Sequence, residues 1–129
     1  MSYWTRNCSR ITEEPYVSII NEEYQEAKRR LAPRLSAWHR SAVKFYWSDR
    51  KISSGGTCFS GLKKITMNKR YRDDAAGTWS PEMFRMTVRH EICHLIESNH
   101  GSRFLRLLEL LQGHRFVGAP AYERKQPTK

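Results

Sequence analysis

A chain of 129 residues is long enough for one compact domain with a hydrophobic core and too short for two. Its hydrophobic fraction of 39% excludes a wholly disordered chain, and no window approaches the roughly 18 apolar residues of a membrane span. The first ten residues, MSYWTRNCSR, lack the apolar segment of a secretory signal peptide. Three cysteines without CxxC spacing indicate reduced thiols. We therefore expect a soluble protein of the cytoplasm, nucleoid or nucleus that is not secreted.

The formal net charge of +10 is unevenly distributed along the chain. Residues 28 to 72 contain thirteen Lys and Arg residues and one acidic residue, Asp49. This asymmetry predicts a surface that faces a polyanion such as DNA, although a generally basic protein without a nucleic-acid role would show it too. The basic residues proposed to contact phosphates are Lys28, Arg29, Arg30, Arg34, Lys63, Lys64, Lys69, Arg70 and Arg72. Trp38, Tyr46, Trp47 or Tyr71 could stack on exposed bases. Tyr46 and Trp47 point to opposite faces of a strand, so we expect at least one of them in the core.

The first predicted helix covers residues 13 to 31, where apolar residues recur at helical spacing, acidic residues cluster early and basic residues late. Pro33 is expected to end or kink it. Residues 42 to 48, AVKFYWS, alternate and are rich in β-forming residues, so they predict a strand. Two further short strands within residues 57 to 68 are expected to meet at residues 60 and 61. Together these strands predict a small antiparallel sheet.

The second predicted helix has the strongest start signal in the chain. Ser80 suits the N-cap position, Pro81 the first helical position and Glu82 the first turn. The helix should run through PEMFRMTVRHEICHLIE, residues 81 to 97, with an apolar stripe that places it in the core.

The third predicted helix follows a break at residues 98 to 102, SNHGS. Ser102 can cap it, and its sequence RFLRLLELLQG directs Phe104 and three leucines inward before Gly113 ends it. We expect a single domain over residues 1–118 and a flexible basic tail over residues 119–129.

The second helix contains the pattern H-E-x-x-H. His90 and His94 lie four residues apart, so on a helix they share one face, about 6 Å apart along the axis, and can hold one metal ion. Glu91 lies beside them, where a carboxylate can accept a proton from a metal-bound water that attacks a carbonyl group. The alternative is a helix whose imidazoles make only ordinary hydrogen bonds. Cys93, which points away from the histidine face, is expected to be a small buried residue and not a ligand.

A catalytic zinc ion needs a third protein ligand and one open position. His100 follows the end of the helix, and Gly101 permits a sharp reversal that would return His100 to the metal. His114 and Glu97 are the alternatives for this position. Three histidines and an open position favour a single Zn²⁺ ion.

The segment VRHEICHLIESNHGSRFLRLLE resembles the SprT-like (Spartan-type) zinc metallopeptidases, in which a histidine in an H-G-x-x-F-type segment follows H-E-x-x-H. The upstream segment SSGGTCFSGLKKITMNKRYR is similar to the glycine-containing hairpin of that family, and the YgjP-like peptidase domains look similar here too. The resemblance covers roughly residues 15 to 113. It implies an α+β, minigluzincin-like fold with an N-terminal helix, a three-stranded antiparallel sheet, an HExxH zinc helix and a C-terminal helix.

Several features depart from the related patterns. The spacing from His94 to His100 matches that of metzincins, but Glu97 occupies the position of their glycine, which disfavours that class. The chain lacks the four-cysteine zinc module that SprT-like proteins often carry, so any DNA contact must come from this domain. YbeY-type endoribonucleases share the histidine spacing, but this chain has Glu91 in place of their glycine and Asn99 in place of their aspartate. A base beside the metal favours peptide hydrolysis.

The sequence therefore predicts a monomeric zinc-dependent endopeptidase that acts on DNA-associated proteins, with Glu91 as the general base. A metal-dependent endoribonuclease and a non-catalytic, zinc-containing DNA-binding protein remain the alternatives. Candidates for stabilising the oxyanion or contacting the substrate are Arg103, His114 and Tyr122, and the sequence does not rank them.

Overall fold

The computed structural model describes residues 8–48 and 55–112, which form a mixed α+β fold with four α-helices and one sheet. The elements in chain order are β1 (Cys8–Arg10), α1 (Tyr16–Leu31), β2 (Lys44–Ser48), β3 (Gly56–Phe59), β4 (Lys64–Asn68), α2 (Arg70–Asp73), α3 (Pro81–Cys93) and α4 (Ser102–Gln112). Within these residues, no helix has the length and apolar character needed to cross a membrane. Gly113 and the predicted tail at residues 119–129 lie outside the described residues.

The sheet has four strands in the order β1-β2-β4-β3, so the predicted three-stranded antiparallel sheet is wrong. Strand direction alternates from β2 to β3 to β4, but β4 inserts between β2 and β3 and therefore meets β2 in parallel. All five residues of β4 are buried, as suits a central strand, whereas three of the four residues of β3 are half-buried. The strand that the sequence did not predict is β1. It has only three residues, too few for an alternating pattern to be recognised in the sequence.

The predicted hairpin is confirmed. β3 and β4 pair antiparallel, from Gly56 opposite Met67 to Phe59 opposite Lys64. A 3₁₀ turn at Ser60–Leu62 connects them, and Lys63 closes the turn in the left-handed region with a φ of 52°. The hairpin places one end of β3 beside helix α3.

An aromatic cluster joins helices α1, α2 and α3 to the sheet. The Tyr16 ring lies 5.1 Å from the Trp47 ring and 4.9 Å from the Phe84 ring, and Phe84 lies 5.3 Å from Tyr71. The four rings meet mostly edge to face, a geometry that adds to the stabilisation from buried apolar area. Trp47 and Tyr71 are almost completely buried, so they are core residues that cannot stack on exposed bases. The burial of Trp47 confirms that at least one of Tyr46 and Trp47 belongs to the core.

Helix α3 begins as predicted and ends earlier than predicted. The Ser80 side chain accepts a hydrogen bond from the backbone N–H of Met83, and Pro81 occupies the first turn. The regular helix ends at Cys93, and a turn continues the chain to Ile96. The end of the helix therefore falls inside the histidine motif, and the chain can redirect His94 and the residues after it.

A buried ion-pair network connects α3 to α1. Glu23 is 7% exposed and accepts hydrogen bonds from Arg85 at 2.6 Å and from Arg89 at 2.7 and 3.1 Å. Arg89 directly precedes His90, so the bidentate contact fixes α3 against α1 next to the histidine motif. A buried carboxylate held by two guanidinium groups becomes costly to disturb, because removal of one partner leaves charges that are only partly solvated.

We expect Glu23→Ala to lower the free energy of unfolding by about 3 kcal/mol, since both arginines would lose their shared buried partner. Urea denaturation followed by circular dichroism measures the change. The matched control is Glu22→Ala, which removes a 62% exposed carboxylate that also pairs with Arg85, and we expect it to cost less than about 1 kcal/mol. Equal losses in the two variants would contradict a special role for the buried pair.

Candidate metal centre

Three histidine side chains converge at the end of α3. The Nε2 atom of His90 lies 3.0 Å from that of His100 and 3.2 Å from that of His94, and the His94 and His100 Nε2 atoms are 3.0 Å apart. Within the described residues, these three side chains form the cluster that could hold a metal ion. His90 lies in the last turn of α3, His94 directly follows the last residue of α3, and His100 lies in the loop before α4.

Hydrogen bonding alone cannot satisfy this triangle. The Nε2 atom of a neutral imidazole is either a donor or an acceptor, so at least two of the three atoms must have the same role and repel each other. A cation among three acceptor nitrogens removes that conflict. A tetrahedral zinc ion with Zn–N bonds of 2.0–2.1 Å has ligand nitrogens about 3.3 Å apart, close to the observed distances. The three nitrogens therefore fit a divalent metal ion.

The protonation states also suit metal binding. Burial, together with the neighbouring His94 and His100, lowers the pKa of His90 to about 2. Burial likewise lowers the pKa of His94 and of His100, so all three imidazoles stay neutral near pH 7. The Nδ1 atom of His94 lies 2.9 Å from the backbone oxygen of Glu97, to which it donates, and this leaves its Nε2 lone pair for a metal.

Phe104, in the first turn of α4, packs against all three histidines. Its ring centre lies 4.8 Å from that of His90, 4.5 Å from that of His94 and 5.0 Å from that of His100. Phe104 is fully buried, so it forms an apolar wall that restricts rotation of the three rings. The sequence predicted that Phe104 faces inward, which is confirmed, but its contact with every histidine of the cluster was not foreseen.

Glu97 lies outside the cluster, although the sequence left it as an alternative ligand. One oxygen of its carboxylate accepts a hydrogen bond from the backbone N–H of Asn99, and the other lies 3.6 Å from Arg103. Its backbone oxygen holds His94. Glu97 thus organises the loop between the second and third histidines. His114, the other alternative, lies outside the described residues.

Glu91 is 2% exposed and lies beside strand β3. A Cβ atom at Gly56 would come within 3.2 Å of its Cγ atom and within 2.9 Å of the backbone oxygen of Thr66. The close approach of α3 to β3 therefore requires a glycine at this position. Burial, with a contribution from Glu91, raises the pKa of Cys58 to about 12 and raises that of the buried Cys93. Both thiols stay protonated, and neither belongs to the histidine cluster.

Of the three residues predicted to stabilise the oxyanion or contact the substrate, the structure describes Arg103. The Arg103 side chain is 70% exposed and pairs with Glu97. His114 and Tyr122 lie outside the described residues.

Many of the basic residues predicted to contact phosphates have partners within the protein. At the end of α1, Arg29 and Arg30 both pair with Glu26, and Lys28 lies over the Tyr24 ring. The pairs around β4 and α2 are Lys63 with Trp38, Lys64 with Tyr46, Arg70 with Asp74 and Arg72 with Asp73. Lys64 is 6% exposed, so its chain cannot extend to a partner in solution without repacking. The charge count therefore overstates the positive surface of this segment.

We expect His100→Ala to weaken metal binding by more than about a hundredfold, because loss of even an outer partner of a ligand costs about 10–100-fold. Competition with a chromophoric chelator measures the affinity for Zn²⁺. His39→Ala is the matched control, since His39 bonds to the backbone oxygen of Ser60 and lies outside the cluster. A similar loss of affinity in both variants would exclude His100 as a ligand.

The comparisons with known proteins agree with this site. The family model for the YgjP-like metallopeptidase domain matches residues 6–114, which include the histidine cluster, Glu91 and the whole sheet. No curated protein and no solved structure matches the chain. The matched region covers most of the 129 residues, so the chain belongs to the YgjP-like metallopeptidase domain family.

Proposed function

We propose that this metallopeptidase is a zinc-dependent endopeptidase of the HExxH type, a single-domain monomer that acts on DNA-associated proteins. The proposal rests above all on the three Nε2 atoms that lie within 3.2 Å of one another next to a buried glutamate. Family membership supports peptide hydrolysis as the reaction class. Zinc fits a site of three neutral imidazoles better than magnesium or calcium, which prefer oxygen ligands.

His90, His94 and His100 would hold one ion through their Nε2 atoms. When bound, zinc would supply a Lewis acid that polarises the scissile carbonyl group and acidifies water in its open position. The protein keeps the three imidazoles neutral through burial and fixes the ring orientation of His94 through the Glu97 backbone oxygen.

Glu91 would be the general base. Its carboxylate would accept a proton from the attacking water and later return it to the leaving amine. Glu91 is one residue from His90 on the same helix, so the base and the first ligand share a rigid support. The packing of α3 against β3 at Gly56 buries the glutamate and limits its rotamers, which keeps the base in position.

We expect Glu91→Gln to lower the rate of protein cleavage by about a thousandfold, because the amide cannot accept the proton, while zinc still binds at one ion per chain. Cleavage of casein or a histone by zinc-loaded protein, with metal content measured by mass spectrometry, tests both parts. Glu82→Gln is the control, since Glu82 is exposed at the start of the same helix. Retained cleavage in Glu91→Gln would exclude Glu91 as the base.

The same experiment separates the alternative functions. An endoribonuclease that uses the three histidines should cut RNA and continue to do so in Glu91→Gln. A structural zinc site in a DNA-binding protein should bind one ion and cleave neither protein nor RNA. The buried glutamate beside the cluster and the family match favour the peptidase.

The net charge of +10 and the basic residues of segment 28 to 72 support the part of the proposal that concerns DNA-associated substrates, because they would attract the peptidase to DNA. We expect single-stranded DNA to increase the rate of histone cleavage, and we expect the increase to shrink between about 50 and 200 mM salt as counterions compete. Cleavage of a small neutral peptide serves as the control and should not respond to DNA. Histone cleavage that is unaffected by DNA at low salt would remove DNA from the proposal and leave the peptidase.

A further inference from the structure

A pocket of about 380 Å³ lies between the end of α1, the turn after α3 and the outer side of α4. Three arginines contribute to its lining, Arg34, Arg103 and Arg106. Within the described part of the chain, neither the Arg34 nor the Arg106 side chain forms an ion pair. The volume falls within the range of roughly 300–1,000 Å³ that is typical of pockets for small ligands.

The remaining lining is mainly apolar. Ile96, Leu107 and Leu110 contribute to its walls, and Leu110 is 39% exposed, unusual for a leucine on a core helix. Glu109 is the one carboxylate among the lining residues, so three positive charges oppose one negative charge. Arg30, which also pairs with Glu26, donates a hydrogen bond to the Leu110 backbone oxygen at 3.1 Å and so joins the end of α1 to α4 beside the pocket. The pocket therefore suits an anion attached to an apolar or aromatic body.

Phosphate fits this arrangement better than carboxylate. A carboxylate has two oxygens and is satisfied by one bidentate arginine, whereas the three terminal oxygens of a phosphate can accept hydrogen bonds from several guanidinium groups. The Arg103 contact with Glu97 is 3.6 Å long and the Arg103 side chain is 70% exposed, so Arg103 can exchange that partner for a stronger anion at little cost.

We propose that this arginine-lined pocket binds the phosphate of a nucleotide unit, with the base or sugar packed on its leucine and isoleucine side chains. The phosphate would come either from a free nucleotide or from a nucleic-acid strand. The proposal does not rest on the peptidase activity, because binding is measured without cleavage. Ile96 and Arg103 flank the loop that carries His100, so the ligand would bind beside that loop.

Isothermal titration of the full zinc-loaded chain with deoxythymidine monophosphate, inorganic phosphate, hexanoate and a thymidine oligonucleotide of about ten residues tests the proposal. We expect saturable binding of the monophosphate, and a loss of affinity of about tenfold in Arg106→Gln and in Arg34→Gln. Arg10→Gln is the matched control, since it removes one positive charge from an exposed side chain that neither lines the pocket nor belongs to the basic segment 28 to 72. Thermal unfolding of each variant verifies that it is folded.

The comparison of these ligands distinguishes a free nucleotide from a nucleic-acid strand as the source of the phosphate. Binding of the monophosphate identifies a nucleotide site, and binding of the oligonucleotide alone identifies a strand site, provided that Arg106→Gln and Arg34→Gln weaken it and Arg10→Gln does not. Tighter binding of hexanoate than of any phosphate would overturn the proposal. So would the absence of saturable binding, or an equal loss of affinity in all three variants, since that would indicate attraction to net charge alone.

Discussion

Three imidazole nitrogens held within 3.2 Å of one another are the constraint on which the site depends. In the absence of a cation, at least one pair of these atoms would repel, and the surrounding structure has to supply the free energy that keeps them together. It does so by making each ring part of a packed layer. Phe104 restricts all three rings from one side, and the Glu97 backbone oxygen fixes the orientation of His94. The site is therefore preorganised for a cation by packing rather than by hydrogen bonds among its ligands.

The same constraint explains why the helix ends where it does. A straight helix would carry the chain away from His94 and could not return His100 within 3.0 Å of it. The end of α3 at Cys93 and the turn that follows reverse the chain in a few residues, and Glu97 stabilises the reversal through Asn99. On the opposite side, Glu23 holds Arg89 and so fixes the start of the motif. Both ends of the motif are thus tied to other parts of the fold.

Local patterns in the sequence predicted the elements around the site better than their arrangement. The cap at Ser80, the inward face of α4 and the hairpin after Gly56 are encoded by residues close together in the chain, and the structure confirms them. The parallel pairing of β2 with β4 depends on which strand lies in the centre of the sheet, and this is decided by long-range burial. The buried pairing of Glu23 with Arg89 could not be predicted from local sequence patterns either, because the two residues lie 66 positions apart. A charged residue on a helix gives no local sign that it is buried.

The distribution of charge along the sequence differs from its distribution in the folded protein. The segment from residue 28 to residue 72 contains most of the excess positive charge, yet Glu26 and Asp74 lie against several of its arginines. Arg103 and Arg106 lie outside that segment, in a part of the sequence where acidic and basic residues nearly balance. They nevertheless line one pocket with Arg34, because α4 packs against the end of α1. Folding therefore neutralises part of the positive charge that the sequence concentrates and assembles a new positive site from residues distant in sequence. This pocket lies beside the loop that carries His100, since Ile96 precedes and Arg103 follows that histidine in the chain.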